Sequence, residues 1–300
     1  MKAAVIGLGV GQEHLRAYKD MGCEIVAVVD HDKELRTRIG EQYGCRSRSQ
    51  FVTKSLEGPS NDALMDADIV SVCSYDQFHF EQIKILWEAG KHVVVEKPPC
   101  LRQDHLEQLV QMVESKPDQY FMCNLPLPYA LPFAELAEVD YGEVYAVEAS
   151  YNWGRVEKLR EGWRRDCPGY HIALGAGLHV VDLAIWAVQR EVRDGASYGN
   201  NFNVHGLDSP DTIMCVLEFV GGAVGTVSIN CGSSDDHSHS LIVSGTKTRT
   251  VTHNTGEIDK TVAIKKFIET IREGKQWSNL RLYHAMGVCF SMMASQKHDG

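Results

Sequence analysis

Two short stretches carry side chains that could do chemistry on backbone that would hold them still. The first is Val93-Val94-Val95-Glu96-Lys97-Pro98-Pro99. A valine run of this kind reads as a strand buried on both faces. The prolines stop it, because proline cannot continue a sheet ladder. In an open parallel sheet, ligands bind at the carboxyl ends of the strands, so Lys97 stands where a cofactor and a substrate would meet. Pro98 restricts Lys97 to extended backbone. A surface lysine capping a strand is the plainer alternative. The second stretch runs from Gly175 to Trp186. From about Gly177 it reads as a helix, with His179, Asp182, Leu183 and Trp186 on one face at i, i+3, i+4 and i+7. On spacing alone, a core histidine on an apolar helix face is the alternative.

The elements that must position these groups begin at the first residues. Lys2 to Ile6 predicts a strand, Gly7-Leu8-Gly9-Val10-Gly11 a turn, and the pattern through Met21 a helix. Strand, glycine turn and helix make the first half of a βαβ unit. Gly7, Gly9 and Gly11 would let the backbone approach a pyrophosphate, with the helix N-terminus supplying free N–H groups. Glu24 to Asp30 predicts the second strand. Its terminal acid lies roughly 20 residues beyond Gly9, where a carboxylate accepts from an adenosine ribose. Asp30 would repel a 2′-phosphate, so NAD is expected over NADP, although His31 and Lys33 stand close by. The fingerprint is imperfect, because the third glycine comes one residue early and Gln12 occupies the usual place.

Further strands are expected at Ala67–Ser74, Val93–Val95 and Gln119–Cys123, alternating with helices at Lys33–Tyr43, up to Ala89, and Arg102–Ser115. That alternation predicts an α/β domain over 1–123, a Rossmann-type doubly wound parallel sheet. Three prolines between 126 and 132 mark a boundary. Beyond it, strands are expected at Glu143–Trp153, Val192–Tyr198, Thr212–Phe219, Ala223–Asn230, Ser240–Ser244 and Arg249–Thr252. Gly221-Gly222 signals a hairpin. Residues 124–300 thus predict an α+β domain with a mostly antiparallel open sheet. One sheet face would carry helices, and the other would be free for a subunit partner, giving a homodimer or homotetramer. An amphipathic helix is expected at Val262–Arg272 and a last helix, rich in Met and Leu, at Leu280–Ala294.

Composition narrows the function. Lys and Arg number 30 against 40 Asp and Glu, a net charge of −10, which argues against nucleic acid or an anionic membrane as partner. The nine cysteines include no C-x-x-C pair and read as reduced thiols of a cytoplasmic protein. The apolar start is short and broken by glycines, so it reads as a strand and turn rather than a signal peptide. No uninterrupted apolar run is long enough to span a membrane. Tyr151-Asn152-Trp153-Gly154-Arg155 and Gly162-Trp163-Arg164-Arg165, with Lys158 and Arg160 between them, read as a loop dense in aromatics and bases. Tyr151, Arg155, Trp163 and Arg164 would suit a sugar ring or a phosphate, a solvated charged loop being the alternative. His237 and His239, behind Asp235-Asp236, would share a strand face. With no third ligand to name, they read as a polar strand edge, and no metal is expected.

The chain resembles the glucose-fructose oxidoreductase / inositol dehydrogenase / rhizopine-catabolism family of NAD(P)-dependent oxidoreductases. The resemblance rests on the glycine turn ending in His14, on Ser74 through His79, on Glu96-Lys97-Pro98, and on His179, Asp182 and Trp186 as His-x-x-Asp-x-x-x-Trp. It covers nearly the whole chain, and it implies that the C-terminal helix packs back towards the first domain. It implies that Ser74, His79, Glu96 and Lys97 belong to the cofactor site, and that Lys97 also lies against the substrate hydroxyl. It further implies that His179 moves that hydroxyl's proton, with Asp182 in the substrate pocket, and imidazole suits the task because it titrates near neutrality. The implied function is reversible oxidation of a secondary alcohol to a ketone on a sugar, sugar nucleotide or cyclitol. An alternative within the enzyme class is an epimerase-like cycle on tightly held cofactor. Ser74-Tyr75 stands where the family usually has Thr-Pro, Asp76 where it has Asn, and Gly175 where many members have Asp. The missing carboxylate leaves several readings open: a Lys–His pair alone, a proton path through Tyr170, His171 or water, a pocket enlarged for a bulky substrate, or an NAD-binding homologue kept for sensing or structure.

Overall fold

The computed structural model describes residues 1–48, 62–204, 206–234 and 237–295. In chain order its first strands and helices are β1 (Lys2–Ile6), α1 (Gly11–Asp20), β2 (Glu24–Val29), α2 (Lys33–Tyr43), β3 (Arg46–Arg48), α3 (Asp62–Met65), β4 (Ile69–Val72), α4 (His79–Glu88), β5 (His92–Val95), α5 (Gln103–Glu114) and β6 (Phe121–Cys123). Then follow β7 (Val144–Asn152), α6 (Glu157–Arg160), α7 (Trp163–Asp166), α8 (Leu178–Val188), β8 (Val192–Asn200), β9 (Thr212–Phe219), β10 (Val224–Asn230), β11 (Ser238–Gly245), β12 (Arg249–Asn254), α9 (Thr261–Arg272) and α10 (Leu280–Ser295). The chain divides into two compact units. One takes Met1–Cys100, Asp104–Pro126 and Lys260–Asn279, and the other takes Leu101–Gln103, Leu127–Asp259 and the chain from Leu280 onward.

The first unit is built on a six-stranded parallel sheet in the order β3-β2-β1-β4-β5-β6. Its inner strands are buried on both faces, as runs such as Ala3-Ala4-Val5-Ile6 and Val93-Val94-Val95 dictate. The order reverses between β1 and β4, and that switch point opens a crevice at their carboxyl ends. β3 was not expected; three polar residues give no alternating signal, and pairing with β2 makes them a strand. The helix expected near Val262–Arg272 forms as α9 and packs on α1 within this unit. It buries Ala263, Ile264, Phe267 and Ile268, and Arg272 donates to the carbonyl of Met21 at 2.6 Å.

The second unit carries the other six-stranded sheet, β12-β11-β7-β10-β9-β8. Only the central β7–β10 pair is parallel; the other pairs are antiparallel. Alternation along β7 and β9 turns one residue in two inward, and α8 packs on β7. Gly177 makes this approach possible, since a Cβ there would lie 2.4 Å from Ile229 Cδ1 on β10. The segment expected as a loop after β7 contains the short helices α6 and α7. They coil about the buried Leu159 and are separated by Gly162 at φ +91°. All nine cysteines are free. Among the described residues no helix is long and apolar enough to cross a membrane.

Candidate active site

In the first unit the three turn glycines have three different reasons to be glycine. Gly7 has φ +87°, and a Cβ on it would lie 2.3 Å from the carbonyl oxygen of Cys73. Gly11 must let α1 settle on β1, because a Cβ would lie 2.7 Å from Val5 Cγ1. Gly9 has open space instead, with nothing within 4 Å of a built Cβ. That gap sits at the N-terminus of α1, where backbone N–H groups and the helix dipole favour a pyrophosphate. Asp30 is buried at the end of β2. Its Oδ2 accepts from the Leu8 N–H at 2.6 Å and its Oδ1 from the Asp32 N–H at 2.8 Å. These bonds tie the glycine turn to β2, and a carboxylate with four acceptor positions keeps room for a ribose hydroxyl.

Glu96 follows β5 into a buried hydrogen-bonded chain. Tyr18 Oη lies 2.6 Å from Ser71 Oγ, which lies 2.9 Å from His14 Nδ1. His14 Nε2 lies 3.0 Å from Glu96 Oε1, and Asn124 Nδ2 donates to the same oxygen at 3.0 Å. Burial pushes the Glu96 carboxyl up. The hydrogen bond and charge of His14, the charge of Lys260 and the amide of Asn124 outweigh it and hold Glu96 at about 2. An ionised carboxylate only accepts, so His14 Nε2 carries the proton of that bond. Asn124 Oδ1 is buried with no hydrogen-bond partner among the described residues, an acceptor left over where β6 ends.

Lys97 comes next in the chain, half-buried, joined to Pro98 by a cis peptide bond. Three residues expected at the cofactor are bonded within the protein. Both ring nitrogens of His79 face main-chain carbonyls, Nδ1 at 2.7 Å from Pro98 O and Nε2 at 2.9 Å from Ser74 O. The ring is fully buried and ties the loop after β4 to the proline that follows Lys97, leaving no polar atom for a cofactor. Ser74 Oγ donates to Gln82 Oε1 at 2.7 Å. The Glu96 carboxylate serves His14 and Asn124. Sequence reasoning missed Tyr18, Ser71 and Asn124; only Asn124 gave a signal, as a polar residue directly behind an apolar strand.

In the second unit the candidate residues gather around the end of β7. His239 pairs directly opposite Tyr151 across β7 and β11, and the two rings stack at 4.2 Å between centroids. The rings of His237 and His179 lie 5.2 and 6.2 Å from Tyr151. Burial raises the Tyr151 phenol well above its usual range, with Cys231 adding to it, while Arg155 and Arg164 pull it down. Arg164 lies over Trp163, its guanidinium carbon 4.4 Å from the ring centroid, and 5.5 Å from that of Trp153. Tyr151 and His179 thus come together with His237 and His239, while Trp163 and Arg164 gather at Trp153, two residues beyond Tyr151; Arg155 acts on Tyr151 through its charge. Asp235 and Asp236 lie outside the described residues, among which no group of three metal-ligating side chains occurs.

His179 stands in the first turn of α8 and is the one half-open residue in the buried run 171–185. A wide π-helical turn, Ala173–Gly177, leads into it. Gly175, where a carboxylate is missing, is not next to a void. A Cβ there would lie 2.4 Å from Tyr170 Oη, so the phenol fills the space a side chain would take. Asp182, expected in the substrate pocket, is 1% exposed and accepts from Arg281 Nε at 2.7 Å. Arg281 also lies over Tyr129. The Asp182 bond ties α8 to α10, which gives this acid an architectural task.

The comparisons with known proteins agree with this geometry. The family described as an oxidoreductase family with an NAD-binding Rossmann fold matches residues 1–124. The GFO/IDH/MocA C-terminal domain matches residues 134–251. The chain belongs to this family. Its first unit is accordingly an NAD-binding Rossmann domain, and the open cradle at Gly9, the oriented Asp30 and the leftover Asn124 acceptor fit that cofactor. The chain is similar to inositol 2-dehydrogenase 3 of Saccharopolyspora erythraea, 26% identical over 64% of this chain and 55% of that one. It is also similar to D-glucoside 3-dehydrogenase of Escherichia coli, 26% identical over 63% of this chain and 54% of the other. It thus spans about half the length of these curated relatives. The solved scyllo-inositol dehydrogenase of Lactobacillus casei with bound NAD(H) and scyllo-inositol shares the fold, with a TM-score of 0.83 at 15% identity over 99% of this chain and 97% of that one.

Proposed function

We propose that this chain interconverts a secondary alcohol and a ketone on a sugar, sugar nucleotide or cyclitol, with NAD as hydride carrier. The observation that carries the reading is the anchoring of Glu96. His14 and Asn124 hold the residue before Lys97, and His79 holds the proline after it, at the carboxyl edge of a parallel sheet. An ammonium on so constrained a backbone is suited to hold a developing alkoxide in place. The nicotinamide, when bound, takes up or returns the hydride. His179 moves the hydroxyl proton, Tyr151 and the tryptophans pack against the ring of the substrate, and Asp30 receives the adenosine ribose. The similarity to inositol and glucoside dehydrogenases supports this substrate range. The nine free thiols suit the cytoplasm.

The test is a panel of sugars, cyclitols and sugar nucleotides with purified protein and NAD or NADP, followed at the absorbance band of reduced nicotinamide. NADH formation with one substrate class, and preference for NAD over NADP, is the expected outcome. Silence across the panel with NAD still bound would transfer the chain to the NAD-binding homologues with a sensing or structural role. Mass spectrometry of the denatured protein would reveal a cofactor held through the cycle.

A further inference from the structure

The cations between β7 and α8 fall into two kinds. Arg160 pairs with Glu157 at 2.6 Å and donates to Asn203 O, and Arg165 donates to Arg160 O. These two hold the segment together. Arg164 has no carboxylate or carbonyl partner among the described residues; it is held by the faces of Trp163 and Trp153. Stacking fixes the plane of a guanidinium but uses none of its five N–H donors. In a chain with 40 acidic residues, a cation fixed in place without an acid is not what a solvated charged loop produces.

A second observation comes from the strand beneath. His239 is 4% exposed, and its Nδ1 has no hydrogen-bond partner among the described residues. Burial first, then His237 and Arg155, push its pKa down to about 3, so the ring is neutral. The two observations meet at Trp153: Arg164 lies 5.5 Å from its ring, His237 Nδ1 lies 3.1 Å from its carbonyl oxygen, and the His237 ring lies 5.0 Å from that of His239. Tyr151 joins this cluster to His179, the histidine assigned to proton transfer.

We propose that the Arg164–Tyr151–His239 cluster binds an oxyanion of the substrate, so that the sugar or cyclitol oxidised carries a carboxylate or a phosphate. This rests on the dehydrogenase reading given above. Arg164 offers its fork to two oxygens, Arg155 adds charge, and the indole and phenol faces receive the C–H face of the ring. A neutral polyol leaves the guanidinium donors and the buried imidazole nitrogen without the partner they are placed for.

The experiment uses the full chain with NAD and matched substrate pairs: a hexuronate against its methyl ester, and a hexose phosphate against the free hexose. The charged member of one pair should show a KM lower by about tenfold or more. The better pair tells carboxylate from phosphate. Arg164→Gln should bring the ratio of the two KM values close to one, and added salt should narrow it in the wild type. Equal KM values within each pair overturn the proposal and leave the dehydrogenase reading standing. If no pair turns over, the wider panel above decides the dehydrogenase reading, and tryptophan fluorescence decides the binding claim. Saturable quenching by the charged member alone, lost in Arg164→Gln, sustains an oxyanion site; no quenching, or equal quenching within pairs, removes it.

Discussion

The two sheets have six strands each and solve opposite problems. The parallel sheet of the first unit is buried on both faces along its inner strands, and most polar groups at its carboxyl edge are bonded within the protein: Glu96 to His14, His79 to two carbonyls, Asp30 to the glycine turn. Backbone and the open space at Gly9 suit a cofactor there. Among the described residues the second sheet leaves Val216 and Val251 exposed on one face, and beside Tyr151 the buried His239 Nδ1 has no hydrogen-bond partner. The difference teaches where specificity resides. A backbone cradle suits a cofactor common to many enzymes, whereas unmatched side chains suit one kind of substrate.

Lys97→Met tests the comparison most severely, since it removes the side chain proposed to hold the alkoxide. Turnover should fall by about a thousandfold or more, while NAD binding, followed by tryptophan fluorescence, persists. Unchanged turnover would remove Lys97 from the mechanism. Glu96→Gln comes next. It takes the charge from a buried network and should destabilise the protein by about 3 kcal/mol in urea unfolding. The pH dependence has a definite sign. Glu96 is held at about 2 in the fold against 4.5 for a free carboxyl, so its stabilisation is present above pH 4.5 and is lost as the pH falls towards 2. The wild type should therefore lose stability over that window, and Glu96→Gln should lose less. Parallel acid limbs in the two proteins would show that the network does not hold the carboxylate.

Much of the first unit was legible because periodicity and glycine placement are local signals. β1 and the strand before Lys97 follow from runs that dictate their own burial, and Gly7 and Gly11 from a turn that tolerates no Cβ. The hydrogen-bonded chain behind Glu96 was not legible, because it joins residues as far apart as His14, Ser71 and Asn124. The same holds for Gly175. In sequence it reads as a lost carboxylate, and in the structure it is the space that Tyr170 needs. The aromatic and basic segment announced its composition but not its sorting. That Arg160 faces Glu157 while Arg164 faces two indoles depends on the turns of α6 and α7, which four-residue helices do not signal. The Arg281 partner of Asp182 was not legible either, because it stands about a hundred residues away on the last helix.

The smallest effect on stability is expected at the bare face of the second sheet. There Ala196, Val216, Thr226, Glu148, Ile242 and Val251 align across β8, β9, β10, β7, β11 and β12. Val216 is 57% exposed and Val251 62%, with Tyr198 and Met214 one position along the same face. Exposed apolar side chains such as Val216, Val251, Tyr198 and Met214, interrupted by Thr226 and Glu148, mark an association surface, and the expected cover is a second copy of this chain. Val216→Asp should change the unfolding free energy of the separated chain by no more than about 0.5 kcal/mol, since an exposed position has little packing to lose. Sedimentation should nevertheless move from a dimer or tetramer in the wild type to a monomer in the variant, because the carboxylate replaces an apolar side chain of the contact and is buried there without a partner. A wild-type monomer at micromolar concentration would end the subunit expectation. A variant that keeps the wild-type assembly would place the contact elsewhere and leave this face bare, so the contrast between a covered and an uncovered sheet would hold in the assembled protein as well.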